Sequence, residues 1–105
     1  MTVAESFEAL PGRINTGAIA GLNKAFQWNI TGDEAGVWAL QVANSTVEVI
    51  KGGVEKPDVT FTVSDKDWIA IAEGKMDATG AFMSGKLKVA GDMMLAMRVA
   101  SFIKR

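Results

Sequence analysis

Gly80, four further residues and then Gly85-Lys86, in the stretch GAFMSGKLKV, match most of the phosphate-cradling pattern G-x-x-x-x-G-K-[ST]. In that pattern backbone N–H groups and the lysine hold nucleotide phosphates, and a hydroxyl after the lysine meets magnesium. The loop works only where it follows a buried strand and opens a helix, because the helix N-terminus supplies the dipole and the unpaired N–H groups. Here the order is reversed. Helical sequence precedes Gly85, the alternating segment KLKV follows it, and Leu87 stands where the hydroxyl is needed. The match is a turn.

Other reactive constellations are thinner. Asp65 and Asp67 could be an acid/base pair, but two residues apart at a helix start they are explained by capping and by the helix dipole. Ser84 lies in no G-x-S-x-G elbow and has no histidine to act as its base. The chain contains no Cys, no His and no Tyr. That removes the usual zinc and iron ligands, the thiol nucleophile and the side chain best suited to proton transfer near neutral pH. No metal and no cofactor are expected, and catalysis is disfavoured, although carboxylates, lysines and serines remain.

The elements that would position any site belong to one domain, 1–105, since 105 residues leave no room for a second core. Hydrophobic residues at 49% and charged residues at 22% are the balance of a globular chain. A net charge of −1 and no basic stripe argue against nucleic acid. The N-terminus lacks the basic and apolar regions of a signal peptide, and no segment approaches the roughly 18 apolar residues of a membrane span. A cytoplasmic protein is expected.

Residues 3–10 read as a short helix stopped by Pro11-Gly12, and 14–22 as a second, weakened by glycines. Three strands follow at close spacing. KAFQWNI (24–30) puts Phe26, Trp28 and Ile30 on one face, and GVWALQVA (36–43) puts Trp38, Leu40 and Val42 on one face. TVEVIK (46–51) completes an antiparallel meander. DVTFTV (58–63) alternates cleanly, with Val59, Phe61 and Val63 inward. Ser64 suits the N-cap of a helix carrying Trp68, Ile71 and Ala72 on one face, with Gly74 at its C′ position. A helical turn or two over 77–85, a last strand over 86–90 and a helix over 93–104 capped by Asp92 complete an α+β domain with helices gathered on one face of a mostly antiparallel sheet.

Five of the six methionines lie between Met76 and Met97, and the last helix is polar only at Arg98 and Ser101, with Met94 between them on the helical wheel. Its apolar surface exceeds what an amphipathic surface helix needs. Such a helix is buried on several sides, packs on a partner chain or lines an apolar cavity. A Met-rich core accounts for the composition as readily as a lipid site does. The excess of aromatic and thioether groups over reactive polar ones favours binding. Burying a sixteen-carbon chain at about 0.8 kcal/mol per CH₂ gives on the order of 12 kcal/mol before ordering costs, with no catalytic group required.

The run KPDVTFTVSDKDW, then GKM, then AFMSGKLKVAGDMMLAM resembles the C-terminal half of the sterol carrier protein-2 family. The resemblance is strong from about Lys24 onward and implies a five-stranded sheet, helices over one face and an apolar tunnel between them. It implies a non-enzymatic carrier or presenter of fatty acid, fatty acyl-CoA, sterol or isoprenoid. Carried over position by position, it gives a sheet wall of Trp28, Val42, Phe61 and Val63, middle-helix residues Trp68 and Ile71, and closing-helix residues Met94, Met97, Phe102 and Ile103. No arginine near the first strand matches a carboxylate anchor, and Lys24 and Arg13 are the substitutes at hand. The ending at Arg105, without a targeting tripeptide, points to a bacterial-type stand-alone member, for which acyl chains or quinone-like isoprenoids suit better than sterol. The alternative is an interaction, dimerisation or accessory module that docks through its apolar closing helix and presents lipid substrates to enzymes. On either reading transient membrane or enzyme contact is expected, as monomer or homodimer.

Overall fold

Alternating apolar residues form strands wherever the pattern occurs. The computed structural model describes residues 1–102, apart from the side chains of Thr16, Ala100, Ser101 and Phe102. β1 (Lys24–Thr31) buries Phe26, Trp28 and Ile30, and β2 (Gly36–Ala43) buries Trp38, Leu40 and Val42. β3 (Thr46–Lys51) follows β2 through Asn44 and Ser45, whose φ values of 53° and 60° suit the two-residue turn of a twisted hairpin. β4 (Val59–Ser64) turns Val59, Phe61 and Val63 inward, and β5 (Leu87–Gly91) buries Leu87.

The five strands form one mixed sheet in the order β3-β2-β1-β4-β5. β1–β2, β2–β3 and β4–β5 pair antiparallel, while β1 and β4 run parallel with Trp28 opposite Phe61. To reach β4 from the sheet edge, residues 52–58 cross the face opposite Trp28. Gly52 donates to the Val37 carbonyl at 2.7 Å, and Val54 N–H to Gln27 Oε1 at 3.0 Å. Gly53, at φ +85°, passes so close that a Cβ there would lie 2.5 Å from Gln27 Oε1. Val37 and Ile50 share this outer face.

The other face carries the helices: α1 (Val3–Glu8), α2 (Asp65–Ala72), α3 (Ala78–Met83) and α4 (Met93–Phe102). Thr2 and Glu5 close a capping box at α1, with Glu5 N–H to Thr2 Oγ1 at 3.1 Å and Thr2 N–H to Glu5 Oε1 at 2.8 Å. The expected helix over 3–10 ends at Glu8, and Leu10–Arg13 is a 3₁₀ turn with Pro11 in its first turn. The expected helix over 14–22 is only the 3₁₀ turn Thr16–Ile19, capped by Asn15 and flanked by Gly21 at φ +78°. Ser64 and Asp77 cap α2 and α3, and Leu95 N–H donates to Asp92 Oδ1 at the start of α4.

Between the layers Phe7 lies between two indoles, stacked on Trp38 at 5.1 Å and on Trp68 at 4.7 Å between ring centroids. Trp28 stacks on Phe61 at 5.2 Å. Such pairs contribute about 0.5–1.5 kcal/mol each beyond their buried area, so aromatic contact helps hold α1 and α2 on the sheet.

Candidate functional site

The site between sheet and helices is a cavity of about 70 Å³. β1, β4 and β5 supply Trp28, Phe61 and Leu87, while α2 supplies Trp68, Ile71 and Ala72. Ala78 from α3, Val99 from α4, Ser6 from α1, and Leu10 and Arg13 from the 3₁₀ turn complete the wall. Parallel pairing of β1 with β4 sets Trp28 beside Phe61, and the N-cap at Ser64 starts α2 so that Trp68 meets Trp28, 5.6 Å between ring centroids.

Two lining residues are polar. The buried Ser6 hydroxyl donates to the Val3 carbonyl at 2.6 Å and accepts the Trp68 indole N–H at 2.7 Å, so its hydrogen-bonding capacity is turned to structure. Arg13 is half-buried and brings the only formal charge among the described lining residues. Lys24, the other cation considered, sits 4.0 Å from Asp58 and is not among the lining residues.

The remaining polar candidates serve the fold. Asp65 is buried, and its carboxylate accepts the backbone N–H groups of Glu34 at 2.9 Å and Lys66 at 2.7 Å. The Glu34 N–H, foremost, holds the carboxyl below its ordinary range against the opposing effect of burial. Asp65 thereby fastens the β1–β2 turn to α2, and Gly32 in that turn has no room for a Cβ beside it. Asp67 enters through its backbone N–H, which donates to Ser64 Oγ at 3.2 Å. Gly85, at φ +82°, is the turn from α3 into β5, in keeping with the rejection of a phosphate loop. Among the described residues no cluster of His, Cys, Asp and Glu could hold a metal.

A second, shallower concavity of about 300 Å³ lies between the start of α1 and β2. Its carboxylate, Glu34, accepts Val3 N–H at 3.0 Å, and Lys51 Nζ stands 5.7 Å from the centre of the Trp38 ring. It is open to solvent and polar on one side, and its charged groups already have partners.

Of the residues expected to meet a ligand, Trp28, Phe61, Trp68 and Ile71 line the cavity. Val42 and Val63 are buried in the surrounding core without lining it. Met94 and Met97 lie on the far side of α4, 80% and 76% exposed. The helix turns Leu95, Ala96 and Val99 inward, and at 100° per residue Met94 and Met97 then fall about 150° from the centre of that face. The Phe102 side chain and Ile103 lie outside the described residues. Ser6, Leu10, Ala72, Ala78, Leu87 and Val99 complete a wall that the resemblance did not supply. Val99 was legible, since it lies away from the Arg98–Ser101 stripe; the alanines carry no signal of their own.

Comparison with known proteins matches the model of the SCP-2 sterol transfer family to residues 7–104. Hydroxysteroid dehydrogenase-like protein 2 of Xenopus laevis is 37% identical over 100 residues, covering 94% of this chain and 24% of that protein. The solution structure of palmitated SCP2L2 from Aedes aegypti superposes with a TM-score of 0.78 at 29% identity, over 96% of this chain and 93% of that one. The sec-alkylsulfatase Pisa1 from Pseudomonas sp. shares the fold, at a TM-score of 0.84 and 24% identity, over all of this chain and 17% of that one. The chain thus spans about a quarter of the length of the curated relatives it matches, or less.

Proposed function

This chain belongs to the SCP-2 sterol transfer family, a family of lipid-binding modules, and from that premise we propose that it binds and carries an apolar lipid without catalysing a reaction. The observation that carries the proposal is the cavity wall of Trp28, Phe61, Trp68, Ile71, Leu87 and Val99, which offers apolar area and one cation. An acyl chain is the preferred occupant. The Aedes relative is described as palmitated, which supports it. Arg13 at the wall suits a carboxylate or other anionic head group, because a guanidinium forms charge-assisted, bidentate hydrogen bonds. With no cysteine to oxidise, the chain suits a reducing compartment, and a cytoplasmic location is part of the proposal.

Ligand pockets commonly measure about 300–1,000 Å³, so a cavity of about 70 Å³ must widen several-fold to admit a long chain. Binding is therefore coupled to movement of part of the wall. A second reading, that the domain presents lipid to an enzyme, is favoured by the small share of the dehydrogenase-like relative that it matches.

Native mass spectrometry of the purified protein, beside the same sample denatured, tests lipid binding directly. The expected result is an added mass of a fatty acid or isoprenoid in the native spectrum alone. No added mass, together with no quenching of the tryptophans by added palmitate, would rule out lipid carriage.

A further inference from the structure

The three indole N–H groups of this chain meet different surroundings. Trp68 Nε1 donates to Ser6 Oγ at 2.7 Å. Trp38 lines the groove beside α1, which is open to solvent, and a Cβ on Gly36 there would stand 3.7 Å from Trp38 Nε1. Trp28 is 3% exposed, and among the described residues its N–H has no acceptor. No fully enclosed side-chain nitrogen or oxygen among the described residues lacks a partner, so the Trp28 N–H borders open space. The open space against Trp28 is the cavity. Its neighbours hold the ring in place. Phe61 stacks on it at 5.2 Å, Phe7 and Trp68 stand at 5.6 Å, and β2 and β4 pair with its strand on both sides.

We infer that Trp28 Nε1 is a specificity-determining donor, selecting lipids that carry a carbonyl oxygen within their apolar part. The inference rests on the reading of this cavity as a lipid site. An indole N–H only donates, and leaving a buried donor unpaired is costly. A saturated acyl chain offers it nothing, and the Ser6 proton and the Trp68 N–H are already spent on each other and on the Val3 carbonyl. A ketone or ester oxygen accepts the bond without bringing a proton that needs an acceptor of its own. Because the ring is fixed before the ligand arrives, little ordering cost is set against that bond. The charge on Arg13 and the neutral donor on Trp28 act on different chemistry, one on an anionic head group and the other on the chain.

The test compares stearate with a series of oxostearates, the keto group moved along the chain, by displacement of a fluorescent fatty acid from the full chain. At the position that reaches Trp28 the oxostearate should bind about tenfold tighter than stearate, the size of one hydrogen bond to a buried donor. Trp28→Phe should abolish that preference, whatever it does to stearate itself. Trp68→Phe removes the other cavity indole, whose N–H already serves Ser6, and should keep the preference. In a proton–nitrogen spectrum of the parent protein the Trp28 indole proton should move downfield with the preferred oxostearate and stay in place with stearate. Stearate binding with no preference at any keto position overturns this inference alone. So does a preference that survives Trp28→Phe, or one that both variants abolish alike with the Trp28 signal unmoved. Failure of stearate and every oxostearate to bind would overturn the carrier reading and this inference with it.

Discussion

Replacing Ala78 by Leu should move stability and lipid affinity in opposite directions. Ala78 heads α3, packs against the core and lines the cavity, so three added carbons enter a space of about 70 Å³. At about 0.8 kcal/mol per buried carbon the gross gain is ~2.4 kcal/mol, and ordering a leucine removes about 0.5–1. A net stabilisation of about 1.5 kcal/mol should raise the melting temperature by several degrees in a domain this size. The same carbons occupy volume the acyl chain needs. If the lipid forgoes an equal contact, ~2.4 kcal/mol corresponds to roughly 60-fold weaker binding. Thermal unfolding of lipid-free protein and titration with a fluorescent fatty acid measure the two quantities separately. A stabilised variant that binds fatty acid as tightly as the parent would refute the assignment of the cavity. A destabilised one would refute the packing argument, because overpacking would have exceeded the gain.

Arg13→Gln should weaken palmitate binding about tenfold, the lower end for a charge-assisted hydrogen bond at a half-buried site, and leave the methyl ester unaffected. Equal loss for both ligands would show that the guanidinium meets no carboxylate. Brominated fatty acid should quench emission in Trp38→Phe as in the parent, because Trp38 is outside the wall, and less in Trp68→Phe; the opposite order would move the ligand to the α1–β2 groove. The carboxyl of Asp65 is depressed in the folded state, so its contribution is present above the unfolded carboxylate value near ~3.9 and fades as pH falls through the lower folded value. Asp65→Asn should therefore be less stable at pH 7 and lose less stability between pH 5 and pH 3 in urea unfolding. Parallel pH curves for the two proteins would contradict that account.

Much of the fold was legible because its strands are half-buried. Period-two alternation in 24–30, 36–43 and 58–63 picks out the inward residues, and turn chemistry at Asn44-Ser45 joins β2 to β3. Insertion of β4 beside β1 in parallel was not legible from local pattern, since it depends on a seven-residue crossing of the outer face held by Gln27. The short elements near the N-terminus misled for a related reason. Glycine spacing permits helix only weakly, and tertiary packing of Ile19 and Leu22 suffices to hold a 3₁₀ turn instead. On α4 two arguments pulled apart. The wheel set Met94 between the polar residues Arg98 and Ser101, and Met94 is exposed, while the resemblance carried Met94 and Met97 to a tunnel. Apolar composition all round a helix does not say which side is inner.

That two-sided helix indicates where the cavity opens. The sheet wall is fixed by the ladders of β1 with β2 and β4, and α2 is fastened by Ser64, by Asp65 and by Trp68 against Phe7. α4 buries Leu95, Ala96 and Val99 on the cavity side and leaves Met93, Met94 and Met97 uncovered on the other. Displacing it breaks one packed layer, whereas displacing α2 breaks its stacking and its carboxylate bonds as well. Segments with few buried contacts open with the lowest free energy, so the several-fold widening should occur at α4. Amide exchange of Leu95 to Val99 should then be faster than that of Trp68 to Ile71 in lipid-free protein, and palmitate should protect the α4 amides selectively. Protection confined to α2, or spread evenly over both helices, would place the moving wall elsewhere and remove the reason for a helix apolar on both sides.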